Sequence, residues 1–285
     1  MKLSVIALLA LQIQVMTAED LGRLTSPPAD ARASFGDDPL QFGELRLPEG
    51  PGPHPVAIVI HGGCWLDQYD MSSLGTISEA LTEEGIAAWV LEYRRVGNAG
   101  GGWPGTFEDV ADGADYLREL ADEFPLDLDR VIAVGHSAGG HLALWLAARP
   151  HLAADEPLYD PDPIKVGGVL GLAPAPDLAF LHQQKVCGHV IDGLMGGSPE
   201  QYPARYRAGS PGDHVPLGVP QRLVIGRYDD TWAPVGQRYF DVAEKSGDDV
   251  RVLDAVDSGH FEMIDPATST WPLVRDAALE LAKLR

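Results

Sequence analysis

Basic residues are scarce in this chain of 285 residues. Lys and Arg number 21 against 42 Asp and Glu, and only five of the 21 are Lys, so the net charge is −21. A chain this acidic repels phosphate backbones, which excludes nucleic acid as a partner. The charge instead coats the surface and favours solubility. Cysteine is nearly absent as well: Cys64 and Cys187 are the two in the chain, too few for a disulfide framework. Cys64 falls in a Gly-rich loop and Cys187 in an irregular region, and both a single bridge and two free, partly buried thiols stay open. Long apolar runs are missing too. The one near the N-terminus, within "MKLSVIALLALQIQVMTAED", is about a dozen residues, too short to span a bilayer. That excludes stable membrane insertion. No HExxH, no CxxC and no dinucleotide-type GxG after the first strand occurs, and the acidic "DEPLYDPDP" lacks the calcium-loop pattern. Internal repeats and linkers are absent.

Lys2 precedes the apolar run, and Ala18 precedes an acidic pair. This pattern reads as a secretory signal over residues 1–18, with cleavage after Ala18 and export to the periplasm or the medium. The competing reading is an apolar helix that packs on the domain of a cytoplasmic protein. Nothing in the sequence sets an oligomeric state.

The remaining chain, with 45% hydrophobic content, is ample for one α/β domain over residues 19–285. "PVAIVIHGG" (55–63), "IAAWVLEYR" (86–94), "RVIAVG" (130–135), "VGGVLGLAP" (166–174) and "QRLVIGRYD" (221–229) read as strands buried on both faces. Helical patterns fall at 73–84, 104–123, 138–149, 237–247 and 272–285. "LQFGELRLP" suggests one or two edge strands, and 250–260 a late strand and loop. Alternation of this kind predicts a mainly parallel sheet with helices on both faces. Residues 176–220 break the alternation and predict a compact insertion over the active side of the sheet.

Between "RVIAV" and the helix at 138–149 lies Gly135-His136-Ser137-Ala138-Gly139. This is G-x-S-x-G in a strand–turn–helix context, the setting of a nucleophile elbow. A plain tight turn explains the glycines alone, but not the whole setting. A serine hydroxyl needs a base, and "DSGHFEMIDP" supplies His260 in a Gly-flanked loop after a late strand. His136 and His141 lie too near the elbow to swing onto Ser137. The base needs an orienting carboxylate, and "LVIGRYDDTWAP" supplies Asp229 or Asp230 at a strand end. The chain order is Ser, Asp, His. "VIHGGCW" follows a central strand and offers the N–H groups of Gly63 or Cys64, beside that of Ala138, as an oxyanion hole. Trp65, Trp103, Trp232 and Phe261 are candidates for an apolar substrate pocket.

The pieces "HGGCW", "EYRRVG", "WPGTFEDV", "GHSAGGHLA", "APAPDL", "LMGGSPEQYPARYRAGSP" and "DSGHFEMIDP" resemble the α/β-hydrolase superfamily from about residue 35 onward. The closest likeness is to its small carboxylesterase and kynurenine formamidase-like branch. The resemblance implies Ser137 as nucleophile, His260 as base and Asp229 as its partner, acting on a small-molecule ester with no cofactor and no metal. An extra residue in "DDTWAP" departs from the family pattern. Counting from Gly226 favours Asp229, and counting back from Pro234 favours Asp230. The implied activity is a serine carboxylesterase. The rivals are an arylformamidase and a silent hydrolase-fold binding protein.

Overall fold

The alternation of strand and helix becomes one eight-stranded sheet in the computed structural model, which describes residues 14–283. The strands are β1 (Ala31–Ser34), β2 (Phe42–Arg46), β3 (His54–Ile60), β4 (Ala87–Leu91), β5 (Leu126–His136), β6 (Val169–Leu172), β7 (Gln221–Gly226) and β8 (Val250–Ala255). Their order is β1-β2-β4-β3-β5-β6-β7-β8. β2 pairs antiparallel with both neighbours, and every other pairing is parallel. This is the α/β-hydrolase fold. Of the leader expected over residues 1–18, residues 1–13 lie outside the described residues. No helix among the described residues is long and apolar enough to cross a membrane.

The crossovers run through α1 (Gly75–Glu83), α2 (Gly105–Asp115), α3 (Leu117–Glu123), α4 (Ala138–Ala148), α5 (Leu178–Gln184), α6 (Val190–Met195), α7 (Pro203–Gly209) and α8 (Ala233–Lys245), and α9 (Trp271–Lys283) follows the last strand. The helix expected over 104–123 is broken at Tyr116 into α2 and α3. The indole N–H of Trp89 donates to the Gly113 carbonyl at 2.7 Å and competes for an acceptor the helical ladder would use.

Side-chain alternation along the central strands builds two cores. Val56, Ile58, Ile60, Val131 and Ala133 join one, and Ala57, Val59, Ile132 and Val134 the other. Each aliphatic side chain fully buried this way contributes about 1.5–3 kcal/mol. α4 is buried along its whole length, as befits a helix apolar all round. The sheet covers one side of it. The insertion covers another: Trp145 Nε1 donates to the Ala208 carbonyl at 3.0 Å, and His141 Nε2 to the Gly209 carbonyl at 2.7 Å. Residues 176–220 thus carry α5, α6 and α7 and are pinned to the helix that starts at Ser137.

Candidate active site

Ser137 stands where β5 ends and α4 begins, with φ 54° and ψ −117°. An L-residue with positive φ is strained and needs support from its surroundings. The Ser137 N–H donates to the Leu172 carbonyl at 2.8 Å, and the Ser137 carbonyl accepts from the His141 N–H at 3.1 Å. The flanking glycines are forced by close approach. A Cβ on Gly135 would lie 2.1 Å from the Gly139 oxygen, and one on Gly139 would lie 2.0 Å from the Ile60 oxygen. Strand and helix therefore meet backbone to backbone, and the serine is held at the tip.

His260 arrives on the loop after β8, and Asp229 on the loop after β7. A Cβ at Gly226 would sit 1.9 Å from the Gly259 oxygen, so bare backbone at the end of β7 lets the two loops touch. His260 Nδ1 lies 2.6 Å from Asp229 Oδ2. The other carboxylate oxygen accepts the Trp232 N–H at 3.0 Å, which fixes the plane of the group. Asp229 is buried and Asp230 is exposed. The Trp232 ring stacks on His260 with centroids 5.3 Å apart and planes 22° apart.

His136, the residue before the elbow serine, has a part that its sequence position did not reveal. Its Nε2–H donates to the His260 carbonyl at 2.8 Å, tying the elbow to the histidine loop. Burial, and next the neighbouring His260, push its pKa down to about 3 against the smaller opposing effect of that hydrogen bond. The ring is neutral, with the proton on Nε2. His141 is neutral for a similar reason, burial pushing it down to about 4.

Gly63 and Cys64 follow β3. No backbone acceptor among the described residues takes the N–H of either one. Ala138 opens α4, where an N–H has no intrahelical partner. Behind this loop sits a buried polar cluster. The Tyr93 hydroxyl donates to the His61 carbonyl at 2.8 Å, and the Glu92 carboxylate accepts from the N–H groups of Tyr93 at 3.0 Å and Met71 at 3.2 Å. Arg95 bonds to the same carboxylate. Burial opposes ionisation of Glu92, but its contacts with His61 and Arg95 outweigh that and hold it below the usual carboxylate range. The loop is anchored from beneath.

Ser137, His260, Gly63 and Cys64 line one cavity of about 460 Å³. Of the four aromatic candidates, Trp232 and Phe261 line it too. Trp65 and Trp103 do not. Trp65 is fully buried and packs edge-on against His141. Trp103 packs edge-on against Phe107, its backbone N–H held by the Leu194 carbonyl at 2.6 Å. Trp65 belongs to the core and Trp103, half-buried, packs against it, because the loops after β3 and β4 turn these rings inward. Cys64 and Cys187 form a disulfide, so the pair left open as a bridge or two thiols is bridged. It joins the loop after β3 to the turn between α5 and α6, and Val186 and Cys187 complete that side of the cavity. Sequence reasoning also missed Gln68, Tyr69, Asp70 and the N-terminal Leu21 and Gly22 as lining residues. None carries a motif. A roomier cavity of about 730 Å³, beside Arg46 and Glu92, contains neither Ser137 nor His260.

The model of the BD-FAE family matches residues 45–239. This chain belongs to the BD-FAE family. The BD-FAE match takes in Ser137 and Asp229 and stops short of His260. Among curated proteins, this BD-FAE chain is 27% identical over 264 residues to Esterase LipC of Mycobacterium tuberculosis (strain ATCC 25618 / H37Rv), covering 88% of this chain and 64% of that one. The chain spans less than two thirds of the length of the curated relatives it matches. Among solved structures, inhibited Esterase B from Lactobacillus rhamnosis superposes with a TM-score of 0.78 at 20% identity, covering 93% of this chain and 90% of that one. A truncated carbohydrate esterase from gut microbiota superposes with a TM-score of 0.76 at 19% identity, covering 91% and 98%. These likenesses are of fold.

Proposed function

We propose that this chain is a serine hydrolase, a carboxylesterase acting on small to medium acyl esters. The observation that carries the reading is the 2.6 Å contact between His260 and Asp229 in the cavity that the strained Ser137 also lines. In this reading Ser137 Oγ attacks the ester carbonyl as His260 Nε2 takes its proton. Asp229, on Nδ1–H, holds the ring in that tautomer and stabilises the imidazolium. The carbonyl oxygen becomes an oxyanion facing the N–H groups of Ala138 and of Gly63 or Cys64, each worth about 3 kcal/mol at the transition state. The C–O bond to the alcohol breaks, and the alkoxide leaves with the proton from His260. Water, deprotonated by the same imidazole, then releases the acid and restores Ser137. The esterase names among the relatives support this reading, as does the elbow geometry.

Ser137→Ala is expected to lower turnover of p-nitrophenyl esters by about 10⁴-fold or more, and a fluorophosphonate probe is expected to label the wild type alone. Substantial turnover by the variant would remove the nucleophile from this scheme. Measuring p-nitrophenyl esters of graded length beside N-formylkynurenine separates esterase from arylformamidase. Specificity constants that favour the formamide would reverse the assignment. Absence of both activities and of labelling would leave a binding protein. Gln68, Asp70 and Ser72 make one side of the cavity polar, so an ester of a polyhydroxylated alcohol belongs in the same panel.

A further inference from the structure

The cavity has a wall that does not come from the sheet, its loops or the insertion. The N-terminal segment supplies it. Ala18–Arg23 form a 3₁₀ helix, and Ala18, Leu21 and Gly22 line the cavity beside Ser137, Trp232 and His260. The segment is closed on itself at its helix start and held to the domain at two points. The Thr17 N–H and hydroxyl donate to Asp20 Oδ2 at 2.7 and 3.0 Å, closing the helix start. Leu21 and Leu24 pack against the core cluster that includes Leu74 and Ile77. The second anchor is Glu262, buried two residues beyond His260. One of its oxygens accepts the Gly259 N–H at 2.8 Å, and the other accepts the Met16 N–H. One carboxylate therefore clamps both the histidine loop and the segment that faces the cavity.

Two residues of the segment have opposite shapes. Leu21 puts a branched side chain at the rim. Gly22 puts nothing there: a Cβ built on it meets no atom within 4 Å. Gly22 is absent from the residues with positive φ, so the backbone tolerates a side chain at that position. The helix did not require a glycine for either reason, and a side chain at Gly22, a residue that lines the cavity, would meet open space.

We propose that the 3₁₀ helix Ala18–Arg23, in the chain uncut after Ala18, is a wall of the substrate cavity, and that Leu21 and Gly22 set how bulky an ester it admits. The proposal rests on the serine esterase reading above. Bulk added at Gly22 narrows the mouth, and bulk removed at Leu21 widens it, while Ser137, His260, Asp229 and the loop amides stay in place.

The test uses the full chain with p-nitrophenyl esters from acetate to decanoate, and acetate esters of alcohols of rising size. Thermal melts are recorded for each variant. Gly22→Leu is expected to lower kcat/KM for the longest member of at least one series, relative to its shortest, by about tenfold, the low end of what one methylene is worth in a pocket. Leu21→Ala is expected to move the same ratio the other way by about threefold. Gly22→Ala is expected to fall between wild type and Gly22→Leu. If folded variants keep both ratios within about twofold of wild type while Ser137→Ala is inactive, the segment is no specificity wall and the esterase reading stands. If Ser137→Ala turns over the same esters, that reading fails and takes this inference with it.

Discussion

Asp229 and Asp230 are neighbours with opposite surroundings. Asp229 is buried, with one oxygen on His260 and the other on the Trp232 N–H. Asp230 faces solvent. From the sequence alone, the extra residue in "DDTWAP" left two counts in competition. The count from Gly226 agrees with the observed contact because that glycine is fixed at the end of β7 by its approach to Gly259. The loop toward Pro234 absorbs the additional residue. Asp229→Asn is expected to lower turnover by about 10⁴-fold through loss of the imidazole tautomer and orientation. Asp230→Asn is expected to change it by less than about twofold, as an exposed substitution away from such contacts does. Steady-state rates of the two variants decide the matter, and the reverse ranking would move the acid by one position. The aromatic residues were harder to read. Periodicity says that a tryptophan is buried, not whether core or cavity buries it. Trp65 fell to the core, Trp103 to its edge and Trp232 to the cavity, through loop conformations that no local pattern encodes.

Elements were legible where periodicity is strong. The central strands and α4 follow from apolar runs and from the glycines at their junction. The bridge between Cys64 and Cys187 was not legible, because its partners are 123 residues apart and meet only once the insertion has folded over the sheet. Its position gives it a consequence for the site. It fastens the turn between α5 and α6 to the loop whose amides are the proposed oxyanion donors. Cys187→Ala leaves Cys64 and its N–H in place but unfastens the insertion. A native disulfide closing a long loop contributes about 2–4 kcal/mol, so the variant is expected to melt at lower temperature. Its kcat is expected to fall by about tenfold, because loss of one oxyanion donor costs about a hundredfold to a thousandfold and a loosened loop less. Mild reduction of the wild type is expected to reproduce both effects. Equal kcat before and after reduction, checked by thiol titration, would make the bridge a staple of the fold with no part in the site.

At the scale of the whole molecule, two responses to acid compete. Protonating surface carboxylates relieves the self-repulsion of a chain with net charge −21 and favours the compact state. Buried imidazoles act the other way. His136 is held down to about 3 and His141 to about 4 by burial, against about 6.5 in an unfolded chain. A histidine with a depressed folded pKa gives stability that is fully present above the unfolded value and is lost as pH falls toward the folded one. The two responses separate along the pH axis, because ordinary carboxylates titrate near about 4. Between pH 7 and pH 5 the histidine effect is nearly unopposed, and each ring costs about 2 kcal/mol over that interval. Together they are expected to lower the melting temperature on the order of 10 °C. His141 is the ring to vary, since His136 touches the His260 loop. His141→Gln keeps an N–H donor for the Gly209 carbonyl and cannot titrate, so it is expected to remove about half of the pH dependence. Melting curves at the two pH values test this for both proteins. A wild type that melts at the same or a higher temperature at pH 5 would mean that the buried imidazoles accept protons without opening the fold.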